Sequence, residues 1–204
     1  MNRKIKHLML DNAHDNNIII SDMNLPNKFK EFESSRLNES ETLLYEINKK
    51  PKIFKKYFRG QIIRVNFGVN IGSEFSGEHY AIVISKDDTI MNPVVHVVPL
   101  TSKFHKDNIK IGNILYNEEL VLNLKELLKT EKTKRNLRQI NYCINYYSNK
   151  ANKDSYACVN QLKTISKLSI CKLKNDYDYL NKLRVSESDL KKIDEEIKKE
   201  YTKL

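Results

Sequence analysis

Few residues in this chain are of a type and spacing that could do chemistry. Its five histidines are scattered, and no group of His, Cys, Asp or Glu has metal-ligand spacing, so neither a metal nor a cofactor is expected. The glycine-bearing stretch Gly68 to Gly77 lacks the lysine followed by a hydroxyl that a phosphate-cradling loop needs, and no Ser-His-Asp signature is visible. Glu74 and Glu78 flank that stretch like a carboxylate pair, but with Ser73 and Ser76 beside them they read mainly as loop solvation, with Glu74 able to shape the loop. What remains is an imidazole, His79, where the polar loop enters an apolar run, and Thr101-Ser102-Lys103, where another apolar run ends. A free imidazole exchanges protons near neutral pH, and a hydroxyl beside an ammonium can hold an anion.

These residues must be positioned by strands. From Gly60 the chain reads Ile62-Ile63-Arg64-Val65-Asn66-Phe67, then the loop through Gly68, Gly72 and Gly77, then His79-Tyr80-Ala81-Ile82-Val83-Ile84-Ser85, then Val94 to Thr101. Three β-branched runs separated by Gly- or Asp-containing turns predict a tightly curved antiparallel sheet, and their apolar character on both faces suits a barrel or sandwich core. Residues 117–148 change texture: Leu120, Leu124, Leu127 and Leu128, then Ile140, Cys143, Ile144 and Tyr147, recur at helical spacing and predict two helices. Between them Lys125, Lys129, Lys132, Lys134, Arg135 and Arg138 form the densest basic segment, either a solvated face or a polyanion contact. A further strand is expected over 155–161, and a last helix over about 186–203, opened by Ser186 and Asp189 at capping-box-like spacing.

Residues 1–58 read as an appendage: a polar, Asn-rich start, a helix from Pro26 to Asn48, and, after Pro51, a basic run that is either a linker or a phosphate-contacting arm. Residues 59–204 read as the main domain, with a helical insert at about 117–150. With 40% hydrophobic residues the chain is globular rather than disordered, and its net charge of +10 favours an anionic partner, although a Lys, Asn and Ile bias of the kind AT-rich codons produce accounts for part of that excess. Cys143, Cys158 and Cys171 fit no disulfide framework and are expected as reduced thiols. The short apolar patches near the start fit neither a signal peptide nor a membrane span, so a cytoplasmic protein that does not enter membranes is expected.

Three blocks carry a resemblance: Gly72-Ser73-Glu74-Phe75-Ser76-Gly77-Glu78-His79-Tyr80 running into Ala81 to Ser85; Val97-Val98-Pro99-Leu100-Thr101-Ser102-Lys103; and Asp154-Ser155-Tyr156 through Asn160-Gln161-Leu162-Lys163-Thr164-Ile165-Ser166-Lys167. Together they resemble the MazF/PemK toxin family, whose signature passes from a Gly-x-Glu loop through a Gly-x-Arg-Pro turn into an apolar strand, then a strand ending in Thr-Ser, then a late strand with a Gln-Ile-Arg-Thr-Ile continuation. The resemblance covers about 60–103 and 153–173. It implies an α+β fold, an SH3-like antiparallel β-barrel with accessory helices, here with an N-terminal helical extension and a C-terminal helix. It also implies a homodimeric toxin that cleaves single-stranded RNA without a metal and is neutralised by an acidic antitoxin in the RNA groove.

Two positions depart from that signature. The family's catalytic arginine falls on His79, with Tyr80 in place of proline, and a later arginine falls on Ser169. Cleavage by the RNA's own 2′-hydroxyl needs proton transfer and donors to the phosphorane-like transition state, so His79 is expected as acid or base and Thr101 as a donor. Ser102, Lys103, Gln161, Lys132, Lys134 and Arg135 are the expected RNA contacts, and Gly72, Glu74 and Gly77 the loop beside them. Two other readings stay open: an inactive module binding nucleic acid or antitoxin, and a protein-interaction domain, since SH3-like barrels host several functions.

Overall fold

The structure is a computed structural model that describes residues 2–26, 29–49 and 51–202. These divide into two units: residues up to 49 with Phe67–Gly77, and Pro51–Asn66 with the residues from Glu78 onward.

In the first unit, α1 (Arg3–Ser21) occupies the polar, Asn-rich start, for which the sequence pattern suggests no element. The first proline falls at Pro26 and no glycine precedes it, so nothing breaks the run, and the Asn2 side chain accepts from Lys4 N at 3.1 Å to cap it. None of its residues is buried. The second helix, α2 (Phe32–Lys49), begins later than the sequence suggested and stops before Pro51, which cannot continue it; Phe32 and Ser35 are its buried residues. The Phe67–Gly77 loop belongs to this unit rather than grouping with the strands it joins. Gly77 closes it, donating to Gly68 O (2.7 Å) and accepting from Phe67 N (3.0 Å) at φ 79°, a conformation that favours glycine. Inside, the Asn70 amide donates to Phe67 O and Phe75 O (2.8 and 2.6 Å).

In the second unit, six antiparallel strands form one sheet: β1 (Ile62–Asn66), β2 (Glu78–Val83), β3 (Val94–Thr101), β4 (Ile109–Gly112), β5 (Ser155–Ala157) and β6 (Lys163–Ser166). The path runs β1-β2-β3-β5-β4, with β6 also paired to β3. The segment read as a single strand over 155–161 is therefore split: β5 ends at Ala157, and Val159–Gln161 form one 3-10 turn before β6. That turn lets the chain pair with β3 twice, Val94–Val97 facing β6 and Leu100–Thr101 facing β5. The sheet is not closed, although an isolated bridge joins Val65 to Ile170.

The two helices of the 117–148 stretch are α3 (Glu118–Thr130) and α4 (Lys134–Ser148). Asn117 caps α3 by accepting from Leu120 N at 2.9 Å, and Glu118 and Glu119 lie in its first turn, where the helix dipole favours negative charge. Their apolar stripes, Val121 and Leu124 against Ile140, Cys143 and Tyr147, close over Ile62, Ile82, Val98 and Ala157 of the sheet. The last helix, α5 (Glu187–Tyr201), starts as the sequence suggests, with Ser186 Oγ accepting from Asp189 N at 3.2 Å, and buries Leu190 and Ile193 in the same core. Among the described residues no helix is long and apolar enough to cross a membrane. The three cysteines are free.

Two buried polar clusters pin the periphery. Lys167 Nζ lies 2.8 Å from Asp88 Oδ1 and donates to Thr89 O (2.9 Å), while Asp88 Oδ2 accepts from Tyr57 N (2.8 Å), so the backbone supplies one hydrogen bond to each member of an enclosed ion pair. Burial first, and then Asp88, pushes the Tyr57 phenol up to about 12. On the other side Tyr147 donates its hydroxyl to Asp178, whose carboxylate also accepts from Lys174 N (2.8 Å) and Leu180 N (3.0 Å), and the Tyr147 ring stacks on Tyr179.

Candidate active site

Strands β2 and β3 stop pairing before the end of β3, and a cleft lies beyond that point. Ala81, Ile82 and Val83 face Pro99, Val98 and Val97, so the same register carried two residues outward brings His79 level with Thr101. The pairing of β2 with β3 stops at Ala81 and Pro99, however, and Leu100 and Thr101 pair with β5 on the opposite edge of β3. A cleft of about 250 Å³ lies there, lined by His79, Thr101, Ser102 and Lys103 together with Lys150 and Lys153 from the end of the helical insert. The imidazole and hydroxyls singled out in the sequence thus share one wall although 22 positions separate His79 from Thr101.

Thr101 ends strand β3. Its Oγ1 accepts from Lys103 N at 3.1 Å, a turn-type contact that fixes the rotamer and leaves the hydroxyl proton able to donate into the cleft. Tyr80, where the family signature has proline, hydrogen-bonds hydroxyl to hydroxyl with Tyr146 on α4, tying the start of β2 to the insert. Its phenol is pushed above the usual range, by burial first and then by that bond.

The cleft is cationic because its two carboxylates are spoken for. Glu78 Oε2 lies 3.3 Å from Arg64 Nε, and Cys171 Sγ donates to Glu78 Oε1 at 3.5 Å; Asp154 pairs with Lys110 at 2.6 Å. Among the described residues, Lys103, Lys150 and Lys153 have no carboxylate within ion-pair distance. Burial, then the neighbouring ammonium groups of Lys153 and Lys174, holds Lys150 below the usual lysine value, so a bound anion would relieve a repulsion already present. Lys150 and Lys153 were not singled out from the sequence; the only signal was their place just after an apolar helical stripe.

The other expected residues lie elsewhere. Lys132, Lys134 and Arg135 are exposed at the turn joining α3 to α4 and do not line the cleft. Gln161 ends the 3-10 turn and lies outside the cleft lining. Ser169 ends a second 3-10 turn, Lys167–Ser169. Gly72 and Glu74 are exposed in the first unit's loop, with Gly77 half-buried at its closure. A larger cleft of about 550 Å³, lined by Tyr57, Gln61, Arg64, Cys171 and Asn175 among others, holds none of the expected site residues. Among the described residues no three His, Cys, Asp or Glu side chains are grouped to hold a metal ion.

An α+β protein whose cationic cleft sets an imidazole and a hydroxyl at the mouth of a strand pair is a candidate for chemistry on phosphate esters. The family described as PemK-like, MazF-like toxin of type II toxin-antitoxin system matches residues 58–200, well over half of the chain. The chain belongs to that family. Its members are generally endoribonuclease toxins, and membership implies an antitoxin partner. A comparison with curated proteins gave no match.

Proposed function

We propose that the chain is a toxin that cleaves single-stranded RNA, mRNA included, by attack of the 2′-hydroxyl on the adjacent phosphorus. The 2′-O–P bond forms as the P–O5′ bond breaks, leaving a 2′,3′-cyclic phosphate and a 5′-hydroxyl. The observation that carries this reading is the single cleft shared by His79, Thr101, Ser102 and Lys103 with Lys150 and Lys153. His79 moves a proton, as base to the 2′-hydroxyl or as acid to the 5′-oxygen, and Thr101 donates to a non-bridging oxygen. Ser102 and Lys103 hold the phosphate; Gln161 and the hairpin residues Lys132, Lys134 and Arg135 contact RNA farther along. No metal or cofactor takes part in this scheme.

On this reading residues 59–204 are the toxin domain, with the open sheet and its Val65–Ile170 bridge forming the family's SH3-like barrel, and residues 1–58 are an appendage. The protein acts in the cytoplasm as a homodimer, and an acidic antitoxin segment competes for the groove.

His79→Ala tests the assignment. It should slow cleavage by about 10²- to 10⁴-fold, the usual worth of a proton-transfer group, while the thermal midpoint and RNA affinity stay near wild type. The wild-type rate should change between pH 5 and 8, rising if His79 is the base and falling if it is the acid, and His79→Arg should flatten that limb. Full activity in His79→Ala, or a wild-type rate flat across that range, would leave an inactive binding module as the better account.

A further inference from the structure

Outside the cleft, the outer face of α4 carries a second feature. Tyr142 and Tyr146 stand one helical turn apart with rings 16° from parallel and centroids 5.9 Å apart, Tyr142 exposed and Tyr146 half-buried at the edge of the stripe that buries Ile140, Cys143 and Tyr147. Tyr142 is 44% exposed, so its ring adds little to the core. Two ammonium groups flank the pair: Lys174 Nζ lies 4.7 Å from the Tyr146 ring centre and 5.7 Å from that of Tyr142, and Lys150 Nζ lies 5.2 Å from Tyr146 and 5.9 Å from Tyr80. Neither lysine has a carboxylate within ion-pair distance among the described residues. Lys150 also lines the cleft, as does Tyr80, whose hydroxyl is bonded to that of Tyr146. Lys150 and Tyr80 therefore link the aromatic pair to the cleft.

We infer that Tyr142 and Tyr146, with Lys174 and Lys150, form a stacking platform for a base of the single-stranded RNA that flanks the nucleotides held in the cleft. This rests on the ribonuclease reading and adds a subsite to it. The chemistry fits a nucleotide on two counts. Every base has a face to lay on a tyrosine ring, and each unpaired ammonium can turn from the ring toward a backbone phosphate, because cation–π attraction at exposed sites is weak beside a charge-assisted contact. Base stacking on a ring is tolerant of sequence, so the platform contributes affinity and register rather than the choice of cut.

The test uses the full chain and a short single strand lacking 2′-hydroxyls, which 2′-hydroxyl attack cannot cleave, with 2-aminopurine in the position under test. Binding to the wild type should quench the 2-aminopurine. Tyr142→Ala should weaken binding roughly tenfold and restore the fluorescence, Tyr142→Phe should keep both, and Tyr142→Leu, which retains apolar bulk without a ring face, should behave as the alanine variant. Lys174→Ala should reduce the slope of log affinity against log salt by about 0.7, as expected for one phosphate contact on a single strand. Unchanged binding in Tyr142→Ala and Tyr142→Leu, with wild type binding and cleaving RNA, overturns the platform alone. Weakened binding of an acidic peptide in these variants, with RNA binding intact, overturns it in favour of a protein partner. A wild type that neither binds nor cleaves any single strand overturns both readings.

Discussion

Under the proposed mechanism Thr101 has two jobs, one in its turn and one at the phosphate. Its oxygen accepts from Lys103 N while its proton is left to donate, so on that mechanism Thr101→Ala would lose a turn contact and a transition-state donor together, whereas Thr101→Ser would keep both. Thr101→Ala should lower kcat by about tenfold to a hundredfold, less than the loss at His79, and Thr101→Ser should recover most of it; equal rates in wild type and the alanine variant would return Thr101 to a purely structural role. At this scale the sequence was informative in part. The types of His79, Thr101, Ser102 and Lys103 marked residues that line one cleft, and the register of β2 on β3 explains why they lie close. Lys150 and Lys153 were not legible, because their place in the cleft depends on how the insert packs over the sheet, which no local pattern encodes. The carboxylates were ambiguous for the same reason: only the fold shows that Glu78 is engaged by Arg64 and Asp154 by Lys110.

At the scale of elements, strong periodicity predicted the structure well and weak periodicity did not. The stripes of α3, α4 and α5 and the apolar runs of β1 to β3 stand where the pattern puts them, since each buries a face. The helix α1 was missed because it buries nothing, so no stripe marks it, and β4 because four residues give too little alternation. The joint between α3 and α4 carries a device that no motif announced. Glu131 accepts from Thr133 N (2.7 Å), Lys132 N (2.9 Å) and the Asn136 amide (3.0 Å), meeting donors at a helix start that carries basic residues and no acidic one in its first turn. These bonds, led by that from Thr133, hold its carboxyl at about 2 instead of 4.5. A carboxyl lowered on folding stabilises above its unfolded value and loses that contribution as pH falls toward the folded one. Glu131→Gln should therefore lower the thermal midpoint at pH 6, with the gap to wild type closing between about pH 4.5 and 2; a gap independent of pH would contradict the capping role.

For the molecule as a whole, charge organises the account. With +10 overall and a cleft whose carboxylates are already paired, association with RNA and with an acidic antitoxin segment should both weaken as salt rises, and each should displace the other. Reversing Lys132, Lys134 and Arg135 to glutamate together should lower RNA affinity across sequences without altering the cut motif, since these residues lie at the hairpin turn outside the cleft. Unchanged affinity in a titration of that variant would make the turn a solvated face. Membership of the toxin family is settled by the match over residues 58–200, whereas the activity rests on a cleft in which histidine stands where the family places arginine. The most direct measurement is to incubate the purified chain with a mixed single-stranded RNA pool in excess EDTA and determine both new ends by sequencing and end chemistry. Cleavage should persist in the chelator and give 2′,3′-cyclic phosphate and 5′-hydroxyl ends. An intact pool, 5′-phosphate ends, or cleavage that EDTA abolishes and magnesium restores would contradict the account.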